Sequence, residues 1–163
     1  MPYRAFEGQN CSIARALAIV GERWTLLVLR EVLLGSHRFE EIRRRIGVAS
    51  NILSDRLNTL VAHGVVVRDG EPPEYRATRK GLDLQPVLLT LMQWGDRYTA
   101  GTEGPPVVPV HTTCGHDAEP RLHCSHCGEP IAPTDVRIRP GPGADEQQRA
   151  RGVVPTQSPV HPE

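Results

Sequence analysis

The residues of this 163-residue chain best suited to covalent or coordination chemistry are four cysteines and seven histidines, and they are unevenly spread. Cys11 stands alone, whereas Cys114, Cys124 and Cys127 share a short stretch with His111, His116, His123 and His126. Zinc takes four nitrogen or sulfur donors in a tetrahedron, and His111, Cys114, Cys124 and Cys127 supply a Cys3His set. The donors come as two pairs, each with a two-residue gap and each followed by a glycine, Gly115 or Gly128, that lets the backbone turn tightly. Cys124 and Cys127 are the stronger half, and His116, His123 and His126 compete for the fourth place. So short a segment cannot build its own core, so metal would supply most of its folding energy, roughly 10 to 16 kcal/mol apparent in zinc-finger peptides. A disulfide or a metal-free tail is the alternative. A zinc deaminase needs a His-x-Glu motif ahead of Pro-Cys-x-x-Cys, and Leu122-His123 stands before Cys124, so a structural or redox-sensitive clip is expected and an enzyme is not.

A second constellation is polar and needs no metal. From Ser50 to His63, at about 100° per residue, Leu53, Leu57, Leu60 and Val61 gather on one side while Asn51, Asp55, Asn58 and Thr59 occupy the other. Ser50, Asn51, Ser54, Arg56 and Asn58 carry groups that hydrogen-bond base edges or phosphates, Asn suiting adenine and Arg guanine. Asp55 would accept from cytosine or orient Arg56. Arg38, at the start of the preceding helix, and Arg76, Arg79 and Lys80, around a following hairpin, are the expected phosphate contacts. Cys11, just after a capping Asn10, would lie at the positive end of a helix dipole, which favours thiolate; a buried, inert thiol is the alternative.

The elements that must hold these groups follow from the apolar periodicity. A first helix from Asn10 to about Val20, a second and nearly all-round apolar one from Glu22 to Leu34, and a short third from Arg38 to Ile46 precede the two-faced helix. Ser50 is its expected cap and Gly64 its stop. Val65 to Arg68 and Tyr75 to Thr78 flank the turn-rich Asp69-Gly70-Glu71-Pro72-Pro73 and read as a two-stranded hairpin. Thr78 would cap a last helix reaching Tyr98, kinked or interrupted at Pro86, with Leu84, Leu88, Leu91 and Trp94 or Tyr98 on one stripe. The fold class is mainly α with a small hairpin wing, a winged helix-turn-helix, in which the two-faced helix enters the major groove of duplex DNA.

Residues 1–10 form an arm, 11–99 the compact domain, 100–110 a linker, 111–136 a zinc-ribbon-like Cys/His module and 137–163 a tail expected to be disordered, lacking aromatics and rich in Pro, Gly and Gln. No internal repeat of useful length stands out. The formal net charge is zero, so overall charge argues for no partner, and local placement must do so. Lys80 is the only lysine, the other basic residues being arginines suited to bidentate contacts. No segment approaches the roughly 18 apolar residues of a membrane span, and the cytoplasm is the expected location.

Over about residues 11 to 98 the sequence resembles the HxlR family, bacterial winged helix regulators similar to the MarR group. The matching stretches are Cys11-Ser12-Ile13, Val20-Gly21-Glu22-Arg23-Trp24 into Leu27-Val28-Leu29-Arg30, Arg38-Phe39-Glu40-Glu41-Ile42, Leu53-Ser54-Asp55-Arg56-Leu57, His63-Gly64-Val65-Val66, Pro73 to Thr78 and Gly81 to Trp94. Ala77 departs from the more usual Leu. The resemblance implies a transcriptional regulator, a homodimer joined through its first and last helices and a palindromic operator with half-sites roughly 34 to 36 Å apart. It also implies control by an electrophile, oxidant or other small effector, sensed in several members through a cysteine at the position of Cys11. The competing expectation is a winged helix adaptor that docks on a protein partner, with the zinc module as a structural part.

Overall fold

The computed structural model describes residues 6 and 8–155. The chain divides into two compact units, one ending at Ala118 and the other starting at Glu119.

The first unit is built on four helices: α1 (Ser12–Val20), α2 (Thr25–Leu33), α3 (Phe39–Ile46) and α4 (Ser50–Ala62). A hairpin of β1 (Val66–Asp69) and β2 (Glu74–Ala77) follows, then α5 (Arg79–Leu82) and α6 (Gln85–Thr99). This is the expected order of a winged helix-turn-helix, with shifts at the element ends. Cys11 itself occupies the cap of α1, with extended backbone, and Asn10 lies one residue outside. The second helix starts only at Thr25, and Ala49 caps α4, leaving Ser50 as its first helical residue with no capping bond. Gly47 closes α3 in the left-handed conformation, φ 71°, where a side chain would be strained.

Pro86 does not kink a continuous helix. Thr78 caps the single turn α5, its hydroxyl accepting from the Gly81 amide at 3.2 Å. The chain then restarts, with Pro86 in the first turn of α6, where its missing N–H removes no helical bond. Gly81 is required at the junction, because a Cβ there would lie 2.3 Å from the Val65 carbonyl oxygen.

Val28, Leu29, Ile42, Leu53, Leu57, Leu60 and Val66 are fully buried and join Val32, Val48, Val65 and Tyr75 in one core at the meeting of α2, α3, α4 and the hairpin. Each such buried leucine contributes on the order of 1.5–3 kcal/mol. The centre is α2, although Leu34, just past it, is exposed. Helix α6 has no buried residue, and Leu84, before it, and Leu88 are the last apolar side chains of that stripe to reach the core.

The second unit holds β3 (Arg137–Ile138) paired antiparallel with β4 (Val154–Pro155), and between them α7 (Glu146–Arg151). The expectation of disorder from residue 137 is therefore corrected through Pro155; residues 156–163 lie outside the described part. What that expectation lacked was local polar closure. Asp145 accepts from the Gln148 amide at 2.8 Å while Gln148 accepts from the Asp145 amide at 3.0 Å, a reciprocal cap that starts a helix without an apolar core. Among the described residues no helix is long and apolar enough to cross a membrane.

Candidate nucleic-acid interface

Helix α4 is anchored by Leu53, Leu57 and Leu60, all fully buried, and turns Asn51, Ser54, Asp55 and Asn58 outward. Ser50 is exposed at its start. Thr59 is not free for a ligand, since its hydroxyl donates to the Asp55 carbonyl at 2.8 Å. The face is thus short and polar, with amide groups at its first and third turns and no charge other than Asp55 among its outward groups.

Arg56 departs from the expected reading role. Its guanidinium lies 3.5 Å from the Glu22 carboxylate, its side chain is only 21% exposed, and its Nε is buried without a partner among the described residues. Arg56 tethers α4 to the turn before α2. It faces the protein because position 56 lies beside Leu53, Leu57 and Leu60 on the helix, not opposite them.

The phosphate candidates are exposed but each is held by an internal partner. Glu74 receives Arg38 at 2.9 Å through one oxygen and Arg76 through the other, linking the cap of α3 to the hairpin. Burial pushes the Glu74 carboxyl up, but the guanidiniums of Arg76 and Arg38 outweigh it and hold the group below the usual carboxylate range. His37 reinforces the link, its carbonyl accepting from the Tyr75 amide at 2.8 Å and its ring Nδ1 lying 2.9 Å from the Tyr75 carbonyl oxygen. The wing is therefore fixed to the start of α3 by backbone and charge together.

Arg79 pairs with Asp83 at 3.0 Å while remaining 88% exposed. Lys80 donates to the His63 carbonyl at 2.8 Å, satisfying the end of α4 where its dipole is negative. Arg43 and Arg45 pair with Glu40 and Glu41 on the same helix. Arg44 on α3 and Arg68 on β1 are two of the exposed arginines with no acidic partner among the described residues. Both escaped the sequence reading. Strand alternation would have set Arg68 on the side of Val66 and its partner Tyr75, both buried, yet Arg68 is exposed.

Cys11 is half-buried at the start of α1. It forms no capping hydrogen bond, yet the amides of Ala14 and Ile13 lower its pKa against the opposing effect of burial, with Arg15 adding a smaller attraction. The aromatic and leucine residues of α6 form a separate surface: Leu91, Trp94 and Tyr98 are exposed, the last two by 58% and 65%, with their rings 5.5 Å apart. Ile13 and Leu17 of α1 are exposed as well.

The metal candidates fall on both sides of the unit boundary, His111 and Cys114 before it, Cys124 and Cys127 after it. His111 Nδ1 lies 3.3 Å from Cys114 Sγ. All four cysteines are free thiols.

With this geometry in hand, the comparisons with known proteins are direct. The family model described as HxlR-like helix-turn-helix matches residues 19–103. The chain is 49% identical over 143 residues to Rv3095 of Mycobacterium tuberculosis, an uncharacterised HTH-type transcriptional regulator, spanning 85% of this chain and 89% of that one. Among solved structures it is similar to PA1607, a candidate transcription factor, with TM-score 0.73 and 34% identity over 82% of this chain and 96% of the other. The redox regulator HypR in its oxidised form is more distant, TM-score 0.50 and 28% identity, over 56% of this chain and all of HypR. The chain therefore belongs to the HxlR-like helix-turn-helix family of transcriptional regulators, which are DNA-binding proteins and not enzymes.

Proposed function

We propose that the protein is a cytoplasmic homodimer that binds a palindromic operator in duplex DNA and changes its occupancy when Cys11 is oxidised or alkylated. The observation that carries the DNA reading is the α4 face of Asn51, Ser54, Asp55 and Asn58, exposed over a fully buried leucine row. In this reading Asn51 and Asn58 meet base edges, with Ser54 and Asp55 between them, while Ser50 touches backbone at the helix start. Arg38, Arg76, Arg79 and Lys80 give their present acidic and carbonyl partners a share of their charge and phosphate the rest; Arg44 and Arg68 join them. Arg56 acts by holding α4 in place.

The apolar faces of α1 and α6 support the homodimer. Exposed Trp94, Tyr98, Leu91, Ile13 and Leu17 are more apolar surface than a free monomer keeps without use. Two copies joined there would present two α4 helices to half-sites roughly 34 to 36 Å apart. The lowered pKa of Cys11 supports the sensing role, because thiolate is the reacting form, and HypR is a redox regulator of related sequence.

Selection from a random duplex library with the purified protein tests this. The expected outcome is an enriched inverted repeat whose half-sites are about one helical turn apart. No enrichment over input, together with binding to a protein partner whose affinity is independent of salt, would replace this reading with the adaptor.

A further inference from the structure

Arg38, Arg68 and Arg76 lie around the hairpin and are held differently. Arg68 on β1 is exposed with no acidic partner among the described residues, whereas Arg38 and Arg76 share the carboxylate of Glu74. Arg38 Nη2 lies 2.9 Å from one oxygen of that group, and Arg76 Nη2 donates to the other. A guanidinium carries five N–H donors in a planar fork, so each arginine keeps donors for a phosphate. Their side chains are 49% and 56% exposed, against 24% for Glu74.

Backbone and apolar contacts already make the attachment that this carboxylate joins. The Tyr75 amide donates to the His37 carbonyl at 2.8 Å, and the buried Tyr75 side chain and the pairing of β1 with β2 hold the hairpin on the core. Ion pairs as exposed as these add little to such an attachment. Across the ladder Asp69 faces Glu74, but its carboxylate accepts from the Gly70 amide at 2.7 Å and serves the turn. Glu74 is the acid placed between the two cations.

What the carboxylate changes is how the arginines meet DNA. Two cations and one anion leave one net positive charge where the cap of α3 meets the hairpin. Long side chains lose rotamer freedom on binding, and arginines already tied to Glu74 have lost part of it in the free protein. Tied, they face phosphate at a spacing set by the fold and engage best when α4 is seated in the groove. Untied, each would follow any phosphate within reach, whatever the sequence. The anion also repels a DNA backbone that approaches out of register, and a repulsive element of this kind raises specificity.

We infer that Glu74 is a specificity-determining residue for DNA, yoking Arg38 of the α3 cap to Arg76 of the wing so that the pair favours the phosphates of a correctly seated duplex. The inference rests on the DNA reading proposed above and deepens it.

Full-length wild type, Glu74→Gln and Asp69→Asn should be titrated with the selected operator and with unrelated duplex DNA over a range of salt. Both substitutions remove one negative charge from the hairpin, but only the first unties the arginines. Glu74→Gln should steepen the slope of log K against log salt on unrelated DNA by about 0.9, the freed arginines neutralising one phosphate more. Its preference for the operator should fall by about tenfold, out of the roughly 10³ to 10⁷ usual for specific binders. Asp69→Asn should keep the wild-type preference, and Glu74→Gln should keep the wild-type circular dichroism and denaturation midpoint. An equal gain of affinity on both DNAs would mark Glu74 as a charge alone, and an equal loss with a lowered midpoint would mark it as a structural residue; either overturns the inference. So would a loss of preference in Asp69→Asn as large as that in Glu74→Gln. Wild-type binding that does not vary with salt would end the DNA reading and this inference with it. Salt-dependent wild-type binding, with slope and preference unchanged in Glu74→Gln, would end this inference alone.

Discussion

Helices α4 and α6 carry similar leucine patterns and use them in opposite ways. Helix α4 buries Leu53, Leu57 and Leu60 completely and shows amides and a carboxylate to solvent. Helix α6 buries nothing completely and shows Leu91, Trp94 and Tyr98 instead. The difference lies in what each helix packs against. The leucine row of α4 faces α2 and the hairpin, while α6 touches the core only near its start, through Leu84 before it and Leu88. Amphipathic pattern alone therefore does not tell which side of a helix is functional. In the proposed reading α4 works through its polar remainder and α6 through its apolar stripe.

The largest effect is expected from breaking the α6 side. Trp94→Asp should convert the dimer to a monomer in sedimentation and, by removing the linkage of two half-sites, weaken operator binding by about 10²- to 10⁴-fold. A monomeric wild type, or full operator affinity in a monomeric variant, would undo the assignment of α6. Cys11 comes next. Diamide should weaken operator binding by the wild type and spare Cys11→Ser. Because Ala14 and Ile13 amides lower the thiol pKa, the alkylation rate of Cys11 should reach half its maximum below the value of about 8.5 for a free thiol. A midpoint at or above that value would contradict the role of those amides.

Gly81→Ala sharpens the positioning of the wing. The new methyl would meet the Val65 carbonyl, so unfolding stability should fall by about 1–3 kcal/mol; an unchanged denaturation midpoint would show that the junction yields freely. The smallest effect separates two arginines. Arg76→Ala should flatten the slope of log K against log salt by about 0.9, one phosphate contact, while Arg56→Ala should leave the slope unchanged. Equal slopes for both variants would return Arg56 to the DNA surface.

Much of this architecture was legible because period and breakers are local. The 3.6-residue spacing of Leu53, Leu57 and Leu60 fixed the faces of α4, and Gly47, Gly64 and Thr78 marked the turns. Helix starts moved by one to three residues where the cap was not a good capping residue, as at Cys11 and Ala49. The partners of the arginines were not legible, since Arg56 to Glu22 and Arg38 to Glu74 join positions far apart in the chain. Composition foretold disorder after residue 136, yet the Asp145–Gln148 cap and the β3–β4 pair are made by backbone and short polar groups that composition does not register.

The central claim is tested most directly by measuring the affinity of wild type, Asn51→Ala and Asn58→Ala for the selected operator and for unrelated DNA at one fixed salt concentration. The account predicts a specific loss of about 1–3 kcal/mol for each substitution, with binding to unrelated DNA unchanged. Equal affinity of all three proteins for the operator, or an equal loss on both DNAs, would contradict it.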